Sequence, residues 1–229
     1  MSRVIVMVEG QTESAVVDRI IAPYLGARAV SIHPRLIGKP GYQGGTRRKF
    51  ETVLRDLTAL LKQEPRSTVT TFFDYYGLPD DWPGVADSKN KLSSDIPKTV
   101  EAEIAKAVLT EFTDSFDPAR FIPYIQMYEL EALLFSGPEE MAEVFEQPRL
   151  RAKFEKIVEK CGGCEQIDDD SNTAPSKRIA TLYSPYRKGK SDLGHAWRII
   201  KRIGLDRVRA ACPHFNDWLT RIEQLAQRS

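Results

Sequence analysis

Three cysteines in 229 residues are too few for a disulfide framework, so a small sulfur-stapled scaffold is excluded. No apolar run approaches the ~20 residues that span a bilayer. No basic-then-apolar leader opens the chain, which enters a strand almost at once. A cytoplasmic protein with no membrane partner is expected. Neither sign of charge dominates: 33 Lys and Arg stand against 32 Asp and Glu, so global charge selects no partner. The glycine-rich loop Gly38–Gly45, followed by Thr46-Arg47-Arg48-Lys49, suits a phosphate at a helix start. It lacks the Gly-Lys-Ser/Thr ending of a P-loop, which argues against nucleotide hydrolysis by this chain. There is no internal repeat and no long low-complexity segment.

What remains is an ordinary globular composition, 41% hydrophobic and 28% charged. Apolar strands alternate with amphipathic helices over the first ~128 residues. Strands are expected at Arg3–Val8, Ser31–Ile37, Thr68–Asp74 and Arg120–Met127. Between them, Val16, Val17, Ile20, Ile21, Tyr24 and Leu25 recur at helical spacing behind Thr12. Phe50, Val53, Leu54, Leu57, Leu60 and Leu61 form a second stripe, and Ile96, Val100, Ile104 and Val108 a third. Tyr75–Lys91, with its glycines and prolines, reads as a loop. The order βαβαβαβ predicts an α/β fold with a mostly parallel sheet flanked by helices. After Glu129 the pattern is helical: Leu130–Phe135, Pro138–Phe145, Arg149–Lys160, Ser176–Leu182 and Pro213–Gln227. Residues 1–135 are expected as the α/β domain and 136–229 as a helical C-terminal extension packed on it.

Two strands end on an acid. Glu9 closes the first apolar run, Asp74 closes the third, and Glu13 lies one helical turn beyond Glu9. Parallel strand ends share an edge, where α/β proteins place ligands. Carboxylate oxygens suit a hard divalent cation, and such a cation activates water against a phosphate. The plainer roles are a helix-dipole acid for Glu13 and a turn or cap acid for Asp74. Glu129 and Glu131 follow the fourth strand. They share a face if extended, and point about 200° apart if helical. Glu129, at the junction, is the stronger candidate ligand.

Charge is segregated along the second half. Glu129–Asp170 carries 12 acidic and 5 basic residues, a net of −7, and Ser176–Arg209 carries 10 basic and 2 acidic, a net of +8. The basic block is either a phosphate-binding surface or a solvated face packed near the acidic one. Lys177 and Arg178 open a helix and suit a phosphoryl transition state. Arg187, Lys188, Lys190, Arg198, Lys201, Arg202, Arg207 and Arg209 would extend the surface, and Tyr183, Tyr186 and Trp197 either stack bases or pack. Cys161-Gly162-Gly163-Cys164 has metal-ligand spacing, and Cys212 and His214 complete a candidate structural zinc set. The other reading is a glycine-rich turn with unpaired thiols.

Val8-Glu9-Gly10-Gln11-Thr12-Glu13 resembles the first motif of Toprim domains, in the form of OLD-type nucleases. That resemblance implies a Toprim-like fold with Mg²⁺ or Mn²⁺ held by Glu9, Glu13 and Asp74. It also implies phosphodiester hydrolysis of DNA or RNA, with Lys177 in the role of a downstream lysine. Toprim domains follow their second acid with another in Asp-x-Asp, where this chain has Asp74-Tyr75-Tyr76. Asp80, Asp81, Glu129 and Glu131 are the acids available to replace it. Four segments (Phe73–Pro79, Tyr124–Phe135, Ala174–Ile179 and Cys212–Leu219) resemble a bacterial family known as domain of unknown function 4276. Its usual His-Glu-Phe-Glu is here Tyr128-Glu129-Leu130-Glu131. The resemblance implies an ATPase partner in a phage-defence setting. The two functions to separate are a metal-dependent nuclease and a catalytically inactive binding or regulatory subunit.

Overall fold

Alternate residues of the first strand face opposite sides, and both sides are buried. Val4, Val6 and Val8 enter one apolar core, and Ile5 and Met7 the other. A computed structural model describes residues 2–38, 49–113, 115–168, 173–186 and 195–228. Its strands are β1 (Ser2–Val8), β2 (Val30–Leu36), β3 (Thr68–Asp74), β4 (Phe121–Ile122) and β5 (Ile125–Gln126). The order is β2-β1-β3-β4, with β5 continuing beside β3, and every pairing is parallel. A doubly covered parallel sheet explains why the strands read as continuous apolar runs.

The helices are α1 (Gln11–Val16), α2 (Ala22–Gly26), α3 (Phe50–Gln63), α4 (Val85–Ser88), α5 (Ile96–Leu109), α6 (Pro138–Val144), α7 (Arg151–Cys161), α8 (Pro175–Leu182), α9 (His195–Ile203), α10 (Leu205–Ala211) and α11 (Pro213–Glu223). A π-helical turn, Val17–Ile21, joins α1 to α2, closed by the Ala22 N–H on the Val17 carbonyl. Helices α3 and α5 bury their stripes against Ile5, Met7, Val69 and Phe73. The C-terminal helices share the other core with Val4, Val6, Val8 and Phe72. Trp218 of α11 reaches the sheet itself, its indole N–H donating to the buried Thr70 hydroxyl at 2.9 Å.

The expected fourth strand, Arg120–Met127, is split. Pro123 has no N–H for the ladder. The Thr71 hydroxyl bridges the break, accepting from the Tyr124 N–H and donating to the Tyr124 carbonyl, each at 2.8 Å. The register on either side is unchanged. Tyr75–Lys91 is more than a loop, since it contains α4 and buries Leu78, Trp82 and Val85. Trp82 packs edge-on against Phe50 and Phe73. Gly84 turns there at φ +76°, and a Cβ would meet the Thr99 carbonyl at 2.9 Å. The segment after Glu129 is a 3₁₀ helix, Leu130–Ser136, with Glu129 itself extended at φ −140° and ψ 156°. Among the described residues no helix is long and apolar enough to cross a membrane.

Candidate active site

Because the sheet is parallel, Glu9 and Asp74 emerge at one edge, on adjacent strands. They are joined: Glu9 Oε1 accepts the Asp74 backbone N–H at 2.6 Å. Asp74 is buried, and its Oδ1 accepts the Leu130 N–H at 2.9 Å. That bond draws the start of the 3₁₀ helix, and with it Glu129, against the end of β3. Glu129 is buried in turn, and its Oε2 accepts the Ser176 N–H at 2.8 Å near the start of α8. Carboxylate and backbone thus link β1, β3, the 3₁₀ helix and α8 in one chain. Lys177 follows Ser176 and is exposed.

Glu13 is buried in the first turn of α1. Its Oε2 lies close over Gly10, where a Cβ would stand 3.0 Å away, so the glycine leaves room for the carboxylate beside Glu9. Glu131, also buried, goes elsewhere: its Oε1 accepts the Tyr186 hydroxyl at 2.8 Å. The remaining substitutes for the missing acid are not at this edge in buried form. Asp80 and Asp81 are exposed, and Asp80 pairs with Lys89 at 2.7 Å. Tyr76 takes the position of the second Asp-x-Asp acid, its N–H bonded to the Tyr128 carbonyl at 2.9 Å.

The five expected ligands therefore do not form one cage. Among the described residues no group of three or more His, Cys, Asp or Glu side chains is placed to hold a metal ion. The donors still fit Mg²⁺ or Mn²⁺ in kind, being hard carboxylate oxygens. Mg²⁺ sites commonly use one or two carboxylates and complete the shell with water and substrate phosphate. Glu9 and Asp74 are the pair the fold joins directly, with Glu13 and Glu129 flanking them.

The four residues of the zinc set do not assemble either. The Cys164 and Cys212 thiols are neighbours that shift each other's titration. The Cys164 thiol and then burial hold Cys212 well above the ordinary thiol range, while the Cys212 thiol lowers Cys164. The His214 ring turns to the Glu101 carboxylate at 2.9 Å and the Ile125 carbonyl at 3.2 Å. Cys161 ends α7, half-buried.

Much of the basic block answers the acidic one. Arg202 pairs with Glu143 at 2.6 Å, Arg207 with Glu140, and Arg178 with Asp168 at 3.6 Å. Arg178 also donates to the Thr173 carbonyl. Arg209 is bound by Glu223, Tyr24, Asn216 and Thr220. Each of these four arginines is thus engaged within the chain. Arg187, Lys188 and Lys190 lie outside the described residues, as does the loop 39–48.

Two further acids, the buried Glu101 and the half-buried Glu165, hold elements together without being legible as site residues in the sequence. Glu101 of α5 accepts the Ile125 N–H at 2.9 Å besides bonding His214. Its signal was present, since it sits one residue after Val100 and three before Ile104, on the apolar stripe. Glu165 caps α11 through the N–H groups of His214 and Phe215, each at 2.9 Å. No local pattern marks it, because its partners lie about fifty residues away.

The family described as "Domain of unknown function (DUF4276)" matches residues 8–223. The chain belongs to the DUF4276 family. The match spans the linked acids, α8 and α11, so the sheet edge and the C-terminal helices belong to one DUF4276 unit. Similar solved structures include two of the C-terminal region of the Xanthomonas campestris pv. campestris OLD protein. One, phased with platinum, is 17% identical with a TM-score of 0.47, covering 99% of this chain and 95% of that one. The other, phased with iodine, is 14% identical with a TM-score of 0.45, covering 100% and 97%. No curated protein matches the sequence.

Proposed function

We propose that this DUF4276 chain is a Mg²⁺- or Mn²⁺-dependent nuclease that hydrolyses phosphodiester bonds in DNA or RNA. The observation that carries the reading is the junction of Glu9 and Asp74 across two parallel strand ends. Both acids stand at the edge where α/β sheets bind ligands. A bound Mg²⁺ or Mn²⁺ would supply charge neutralisation on the phosphate and activation of water for in-line attack. Glu13 and Glu129 add negative charge beside the pair. Glu129 also anchors the start of α8, and Lys177 on that helix would balance charge on the reacting phosphate. An ATPase partner and a phage-defence setting are part of the proposal, and they rest on the family resemblance alone.

The test is cleavage of labelled single-stranded and duplex DNA and RNA with Mg²⁺ or Mn²⁺, alone and with the ATPase. The proposal expects turnover by the wild type, and its loss in Glu9→Gln and Asp74→Asn. Undiminished activity in both variants would remove these roles.

A second reading is a binding or regulatory subunit that keeps the fold without catalysis. Tyr76 in place of the second acid, with Asp80 and Asp81 exposed, favours it. It expects no metal-dependent turnover and partner binding that survives Glu9→Gln.

A further inference from the structure

Cys164 and Cys212 lie 48 positions apart in the chain and are neighbours in the fold. Both belong to the core shared by the C-terminal helices. Two hydrogen bonds hold their segments together. The Glu165 carboxylate accepts the N–H groups of His214 and Phe215, each at 2.9 Å. The 3₁₀ turn Cys164–Gln166 is thereby fixed on the first turn of α11, of which Cys212 is the N-cap. Both cysteines are free thiols. Buried thiols commonly serve as small apolar side chains. This pair differs in standing at a cavity.

The cavity measures about 280 Å³ and lies between the start of α5, the turn after α7 and the start of α11. Gly163, Cys164 and Glu165 line it from one segment, and Ala211, Pro213 and His214, which flank Cys212, from another. Exposed Ser94, Lys98, Gln166 and Asp217 open it to solvent. Cys161 is not one of its lining residues. Cys164 is only 3% exposed and Cys212 is wholly buried, which sets the size of any reagent. A bulky thiol compound is kept out, and a molecule little larger than water is admitted. The Cys212 thiol lowers the pKa of Cys164 against burial, and the Cys164 thiol and burial raise that of Cys212. Cys164 is therefore the nucleophile of the pair and Cys212 the resolving thiol.

We infer that Cys164 and Cys212 form a reversible disulfide when hydrogen peroxide enters this cavity. The Cys164 sulfur attacks one peroxide oxygen, the O–O bond breaks, and water leaves. The Cys212 sulfur then attacks the Cys164 sulfenic acid, the S–S bond forms, and the sulfenic oxygen leaves as a second water. Both thiol protons end in the two waters. Peroxide gains two electrons, and the thiol pair loses two. The bond closes a loop that contains α8, α9 and α10, and with them the basic block from Lys177 to Arg209. The inference does not depend on the nuclease reading.

The test is peptide mapping by mass spectrometry of the full-length protein after equimolar hydrogen peroxide, first without reductant and then with dithiothreitol. The wild type is expected to yield a linked Cys164–Cys212 peptide, lighter by two hydrogen atoms, which dithiothreitol separates. That map decides the question without any variant. Cys161→Ser should form the same bond. Cys212→Ser should instead gain one oxygen at Cys164, and Cys164→Ser should leave Cys212 a thiol. The oxidised wild type should melt at least ~3 °C above the reduced protein, because a closed loop has less freedom when unfolded. Cys164 and Cys212 left as thiols by peroxide, a Cys161–Cys164 bond in their place, or a melting temperature that fails to rise overturns the inference.

Discussion

Glu9 Oε1 accepts the Asp74 backbone N–H at 2.6 Å, so the first strand's terminal acid holds the third strand's terminal acid by its main chain. One bond thus fixes the Glu9 carboxylate to the end of β3, and the same carboxylate is the one proposed to hold a cation.

The structural bond of Glu9 and the metal-binding role proposed for it separate by substitution. Glu9→Gln keeps an oxygen acceptor for the Asp74 N–H and is expected to melt near the wild-type temperature. It should lose at least about 10²-fold in metal-dependent cleavage, several kcal/mol of transition-state stabilisation. Glu9→Ala loses both, with about 1–3 kcal/mol of stability for the unsatisfied N–H. Thermal denaturation beside single-turnover cleavage reads the two separately.

Glu129 ties α8 to the sheet edge. Glu129→Ala leaves the Ser176 N–H unsatisfied in a buried setting and is expected to cost about 1–3 kcal/mol. Hydrogen exchange at Ser176 should accelerate by more than exchange in α5. Equal acceleration everywhere would mean that the bond does not act as a local anchor.

His214 makes stability depend on pH. Burial opposes its charge, but the Glu101 carboxylate bonded to it outweighs burial and, with Glu165 nearby, raises its pKa above the ordinary value. A raised pKa stabilises the fold fully below the unfolded value of about 6.5. That contribution is lost as pH rises through the folded value. Chemical denaturation from pH 5.5 to 9 should show it, and Glu101→Gln should flatten the slope.

The paired arginines should matter little. Arg202 and Arg207 are more than half exposed, so each ion pair is expected to contribute no more than about 1 kcal/mol. Denaturation of Arg202→Ala and Arg207→Ala checks this, and losses of several kcal/mol would contradict it.

The strands were legible because a doubly covered parallel sheet writes unbroken apolar runs, and Thr68–Asp74 was read to the residue. The break at Pro123 was less so, because Thr71 repairs it from a neighbouring strand. Helices α9 and α10 were hidden by their arginines and lysines, although Ala196, Ile199, Ile200 and Ile203 share the buried face of α9. At the candidate site, strand-end position exposed Glu9 and Asp74. The divergence of Glu131 towards Tyr186 was not readable, because it depends on a residue 55 positions away. The Cys-x-x-Cys spacing suggested zinc, but the fold gives Cys164 to Cys212 and His214 to Glu101.

The central claim is that Glu9 and Asp74 together hold a divalent cation. Titration of Mn²⁺ into the protein, followed by the free-ion electron paramagnetic resonance signal, tests it without a substrate. The account predicts Mn²⁺ binding by the wild type, at least ~10-fold weaker binding in Glu9→Gln and Asp74→Asn, and wild-type affinity in Glu131→Gln. Mn²⁺ affinity unchanged in Glu9→Gln and Asp74→Asn would contradict it.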